Sequence, residues 1–181
     1  MKFDDALRFA LQNIDSPEFI ERIRLEDSTM LRHIPILRDI NLYGFFTNES
    51  QAGRQTTGKD YIINERAYIQ GFMTPSHAAV FLKEIGTRTD KIAVAVPICH
   101  VNQPTSMDIP LTVTVKKGVS TTNTHASSYL PRRIDLLYRK EARINKSEPV
   151  VFISVIDGRW NRNASLANGG LFTDVLKCLK H

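Results

Sequence analysis

No stretch of this 181-residue chain approaches the roughly eighteen consecutive apolar residues that a membrane-spanning helix needs. Cysteine is scarce. Cys99 and Cys178 are the only two, far apart in the chain, which excludes a disulfide scaffold and a cysteine-based zinc site. The five histidines (His33, His77, His100, His125, His181) form no His-x-x-x-His pair, and Cys99 and His100 are strand neighbours pointing to opposite faces. Metal binding therefore has no positive support, and no cofactor is called for. A thiol nucleophile at Cys99, with His100 or His125 as base, stands against the reading of an inert core cysteine flanked by Ile98 and Val101. The glycines of Ala52-Gly53 and Thr57-Gly58-Lys59 lack phosphate-loop spacing, since Lys59 is followed by Asp60. No internal repeat is visible either.

What is present is ordinary for a folded domain: 42% hydrophobic and 24% charged residues. A chain of this length reads as one domain over residues 1–181, able to bury about 70% of its unfolded surface without metals or disulfides. The net charge of +5 is unevenly spread. Residues 1–30 carry 4 basic and 7 acidic side chains, and residues 111–181 carry 12 basic and 5 acidic ones. Within the cationic half, Arg132, Arg133, Arg139, Lys140, Arg143 and Lys146 suit a nucleic-acid backbone or an acidic protein surface, against the plainer reading of a solvated strand and turn.

Periodicity divides the chain. Phe3, Leu7, Ala10, Leu11 and Ile14 line one helix face, and Ser16-Pro17 starts a second helix bearing Phe19, Ile20 and Ile23. Asp27-Ser28 starts a third segment that Pro35 should kink or split and that Gly44 should close. Residues 1–43 thus form a helical layer, and 44–181 a sheet-containing core. Residues 50–59 read as an exposed loop and Tyr61 to Phe72 as a strand. Thr74-Pro75 caps a helix ended by Gly86, and Lys91 to Val101 is a buried strand whose Pro97 requires an edge or a bulge. Leu111, Val113 and Val115 alternate as a strand, residues 118–130 form a Ser/Thr loop, and Ile134 to Tyr138 alternate again. Pro149 to Ile156 reads as a strand turned off by Asp157-Gly158, and a terminal helix covers 166–180. The pattern is α+β, with a mixed, mostly antiparallel sheet and two packed helices.

The enzyme class with most support is a metal-dependent nuclease, drawing on Asp108, Asp135, Glu141 and Asp157. The Glu/Asp-x-Lys tripeptide of restriction-type nucleases is absent, since Glu141-Ala142-Arg143 ends in arginine. A salt-bridged surface is the plainer reading of these acids and is preferred.

Two segments carry a likeness: Ile40 to Gly53, with its Gly44-Phe45-Phe46-Thr47-Asn48-Glu49-Ser50-Gln51-Ala52-Gly53 turn, and Glu65 to Met73, which opens Glu65-Arg66-Ala67-Tyr68. Over about thirty-five residues the chain resembles a group of uncharacterised proteins of large nucleocytoplasmic DNA viruses. The resemblance implies a viral origin and an α+β domain, and it supplies no reaction. Read physically, Glu49, Ser50, Gln51 and Gly53 form a turn that Glu65, Arg66 and Tyr68 latch, or else they line a ligand site. The expected protein is a non-enzymatic binding protein, virion-associated or intracellular in host cytoplasm or nucleus. It has no secretion signal of its own, since Met1 to Asp5 opens an acidic amphipathic segment and the three Asn-x-Ser sequons are chance matches. A homodimer is expected from the strand at 109–117, taken as a sheet edge, and from the apolar stripe of the terminal helix.

Overall fold

The structure is a computed structural model, and its description covers residues 1–97, 112–117, 119–122, 142–145 and 147–181. The N-terminal layer forms as its caps dictate. Helix α1 spans Phe3–Ile14, and α2, Pro17–Asp27, begins where Ser16 Oγ accepts the Phe19 amide at 3.1 Å. Asp27 then caps a 3-10 turn over Ser28–His33, and α3 follows at Ile34–Leu42. Pro35 thus splits the segment as its missing amide requires, sitting in the first turn of α3 where no donor is needed. Gly44 leaves α3 at φ +90°, a conformation that disfavours any side chain.

Among the described residues seven strands follow: β1 (Phe46–Gln51), β2 (Gln55–Gly58), β3 (Tyr61–Met73), β4 (Lys91–Pro97), β5 (Thr112–Lys116), β6 (Val119–Thr122) and β7 (Val151–Trp160). Helix α4 (Pro75–Ile85) connects β3 to β4, and α5 (Leu171–Leu179) closes the chain. The fold is α+β, and every described strand pair is antiparallel. The thirteen-residue β3 organises the sheet. Its first half pairs with β2 and β5, and its second half with β1 and β7. Strand β4 forms one edge beyond β7 and β6 another beyond β5.

Ala67, Ile69, Met73, Val151, Ile153 and Val155 on one sheet face pack against α3, α4 and α5. The opposite face carries Phe72 and Phe152, covered in part by Phe3 and Ala6 of α1. Burying each such ring is worth roughly 2–3 kcal/mol, which fixes strand register because a one-residue slip exchanges the two faces.

Several expectations change. Residues 50–59 are not a free loop but the end of β1 and all of β2. These polar edge strands, flanking β3, need no apolar run of their own. Asp157-Gly158 does not end β7. The strand runs on to Trp160 through a register shift opposite Arg66 and Tyr68, and the Gly158 amide donates to Asp90 O at 2.8 Å. Leu166 lies outside the terminal helix, which begins after Gly170. Pro97 falls at the end of edge strand β4, where its missing donor is tolerated. The two features that suggested a homodimer are used within the chain: β5 is flanked by β3 and β6, and Leu171, Phe172 and Val175 of α5 are buried. Of the Ser/Thr loop expected at 118–130, Val119–Thr122 instead form β6, paired with β5, while the rest of it and the strand expected at Ile134 to Tyr138 lie outside the described residues.

Candidate binding groove along strand β1

The two motif segments meet across the β1–β3 ladder. Antiparallel pairing sets Glu49 opposite Gln70, Ser50 opposite Ile69 and Gln51 opposite Tyr68, with a register shift between Thr47 and Glu49. One Glu49 carboxylate oxygen accepts the Tyr68 hydroxyl at 2.7 Å, and the other accepts Gln70 Nε2 at 2.5 Å. Two side-chain donors thus satisfy a partly buried carboxylate beside the fully buried Gln70. Gln51 Nε2 donates to the Arg66 carbonyl at 3.1 Å, and the Arg66 guanidinium lies 4.3 Å over the Trp160 ring.

Glu65 pairs with Arg54, a residue outside the turn it was expected to latch. Arg54 Nε donates to Glu65 at 2.6 Å, and its terminal nitrogen donates to both Asp27 and Thr29 Oγ1 at 2.9 Å. One guanidinium therefore ties the end of α2 to β3. Burial pushes the Asp27 carboxyl up, but hydrogen bonds from Thr29 and the charge of Arg54 outweigh it and hold the group below its ordinary value. Gly53 sits at a backbone crossing: a Cβ there would run into the Arg162 carbonyl and lie 2.9 Å from the Ala67 nitrogen.

On its outer side β1 borders the helical layer. The buried Asn41 of α3 accepts the Thr47 amide at 3.0 Å and donates to Thr47 Oγ1 at 2.6 Å and to the Leu37 carbonyl at 2.8 Å. Beyond Thr47, the strand edge receives no hydrogen bond from any described residue outside β3. It borders a cavity of about 320 Å³ between β1 and α2, with Met30 and Leu37 as floor and Phe19 and Ile23 as wall. A second cavity of about 500 Å³ continues it past Ile14, Phe19, Arg22 and Thr47 toward Phe9 and Asn13. Together they make one groove along the strand edge. The groove carries Glu18, Glu26, Asp27 and Glu49 against the single cation Arg22, which rests 5.1 Å over Phe19.

A second constellation lies where β4, β7 and α5 converge. The fully buried Lys91 ammonium stands 3.0 Å from Asp90, 3.3 Å from Asp174 and 3.7 Å from Asp157, and donates to the Gly169 carbonyl at 3.2 Å. Arg162 pairs with Asp90 at 2.6 Å and reaches Asp157 at 3.9 Å. Burial works to raise the Asp90 carboxyl, yet Lys91 and Arg162 hold it below its ordinary value. One oxygen of the fully buried Asp157 has no hydrogen-bond donor, only these longer ion pairs. No described group of three or more His, Cys, Asp or Glu side chains is arranged to hold a metal ion.

Of the cationic run, Arg132, Arg133, Arg139, Lys140 and Lys146 lie outside the described residues, as do Cys99, His100, Asp108, His125, Asp135 and Glu141. Arg143 is exposed at φ +57°, its carbonyl accepts the Met1 ammonium at 2.8 Å, and its guanidinium lies 5.3 Å over Phe9. His33 is buried, bonded to Ser165 Oγ at 2.6 Å, and burial lowers its pKa, with Arg32 adding to the effect. Burial also pushes the Cys178 thiol above its ordinary value.

Sequence reasoning missed the Lys91 cluster and the Asn41 and Arg54 ties. The local hint of the cluster is a charge at the first position of an otherwise apolar strand run.

Fold and site together define an α+β domain with an acidic groove beside a strand edge that no described residue pairs, and an ion-paired hub under its last helix. Residues 19–180 match the model of a family described as a domain of unknown function, DUF6919, and the chain belongs to that family. No curated protein matches it.

Proposed function

We propose that this protein is a non-enzymatic binding protein that takes an extended polypeptide segment of a partner as an added strand on β1. The observation that carries the reading is the open outer edge of β1 from Asn48 to Gln51, lying in a groove walled by Phe19 and Ile23. An unpaired edge presents amide donors and carbonyl acceptors at strand spacing, so backbone bonding supplies affinity and the groove selects side chains. Asn41 fixes the strand end against α3, and the Arg54 network fixes the end of α2, so both sides of the groove are held before a ligand arrives.

The test is a titration of the folded protein with a labelled neutral strand-forming probe, acetyl-(Ser-Val)4-amide, followed by fluorescence polarisation and by hydrogen exchange at residues 48–51. Binding that protects those amides and is lost in Ile23→Glu is expected. A probe that binds without protecting them refutes the reading.

A second reading, a cationic face for nucleic acid or an acidic protein, is favoured by Arg143, whose exposed guanidinium pairs with no carboxylate among the described residues. It predicts duplex binding that weakens steeply with salt, by about 0.9 logarithmic units per phosphate neutralised. Loss of binding in Arg132→Ala/Arg133→Ala is the check.

A further inference from the structure

We infer that the segment received by β1 is basic: an extended strand alternating apolar side chains with lysine or arginine. The inference rests on the strand-addition reading and adds the chemical class of the partner. Glu18 and Glu26 are exposed on α2, and neither is paired with a cation among the described residues. Asp27 and Glu49 add negative charge at the groove, and among its described lining residues Arg22 is the one cation. Asp27 is already matched by Arg54, which leaves the two α2 carboxylates as the groups awaiting a cation.

The same charges discriminate among occupants. Strand β1 contains no lysine or arginine, so two-fold pairing of β1 with a second copy would bring Glu49 and the α2 carboxylates of both copies together. A nucleic acid would set its phosphates against them. A basic strand meets them with opposite charge while its apolar side chains take the space over Met30, Phe19 and Ile23. The chain as a whole is cationic, at +5, so attraction of a basic peptide would report the local field of the groove and not net charge.

The experiment compares acetyl-(Lys-Val)4-amide with acetyl-(Glu-Val)4-amide and with the neutral acetyl-(Ser-Val)4-amide at fixed ionic strength, on the full chain. The lysine peptide should bind at least about tenfold more tightly than the glutamate peptide, the sum of two or more screened charge pairs. Glu18→Gln/Glu26→Gln should shrink that ratio several-fold, since both exposed carboxylates are without a cation among the described residues. N-methylation of alternate amides in the lysine peptide should abolish binding.

Lysine and glutamate peptides of equal affinity, both lost in Ile23→Glu, would overturn the basic class and leave strand addition standing. If no peptide binds to protein that melts cooperatively, both readings fall. A concentration-dependent dimer abolished by Ile23→Glu would assign the groove to a second copy and overturn the proposal.

Discussion

Replacing Lys91 with methionine tests the ion-paired hub. The substitution keeps most of the side-chain volume and deletes the one cation that touches Asp90, Asp157 and Asp174 at 3.0, 3.7 and 3.3 Å. Arg162 remains, but its close contact is Asp90, and it stands 3.9 Å from Asp157, while no described cation other than Lys91 pairs with Asp174. Two buried carboxylates are thereby left short of compensation. Breaking a buried pair in this way costs about 3–5 kcal/mol. For a chain of this length that lowers Tm by about 6–20 °C, at about 2–4 °C per kcal/mol. The double variant Lys91→Met/Asp174→Asn should recover a substantial part of the loss, because it removes one stranded charge with its partner.

The pH dependence has a definite sign. In Lys91→Met the Asp90 carboxyl loses one of the two cations that hold it low, so that part of the deficit is present at neutral pH and narrows in acid. In the wild type Asp90 is held below its ordinary value of 3.8, so its contribution is present above that value and lost as pH falls through the folded pKa. Urea denaturation of both proteins at pH 7 and at pH 3 measures each point. A loss below about 1 kcal/mol at pH 7, or a deficit that grows in acid, would refute the account of the hub.

Gly53→Ala should destabilise by about 2 kcal/mol or more, read from urea midpoints, since the added Cβ meets the backbone of Arg162 and Ala67 instead of a movable side chain. His33 is held neutral by burial, its pKa below 6.5, so wild-type stability should decline as pH drops below that value and the unfolded chain takes up a proton that the native state refuses. His33→Gln should flatten that limb between pH 7 and 5. Asn41→Ala should cost about 1–3 kcal/mol by orphaning the Thr47 amide, seen as a lower Tm and faster hydrogen exchange at the start of β1. Ser16→Ala should cost about 1 kcal/mol through loss of the α2 cap, again by urea denaturation.

Local rules wrote much of this fold into the chain. Ser16-Pro17, Thr74-Pro75, Pro35 and Gly44 mark helix boundaries through capping and backbone geometry that depend on neighbours within a few residues, and the structure places each accordingly. The change from helical to strand periodicity near Phe45 has the same local origin. The motif residues Glu49, Gln51, Glu65, Arg66 and Tyr68 stood out in the sequence, and the β1–β3 ladder does bring Glu49 to Tyr68 and Gln51 to Arg66.

Tertiary structure decided the rest. Polar segments such as Gln55–Gly58 become strand only because β3 is long enough to offer them an edge. Gly158 continues a strand because Asp90 accepts its amide. Lys91, Asp157, Arg162 and Asp174 are spread over more than eighty positions, and no period or spacing links them. Their charges acquire meaning only when β4, β7 and α5 remove the water between them. The groove is likewise a property of an edge left open and of a helix held beside it, and neither fact is local to any stretch of residues.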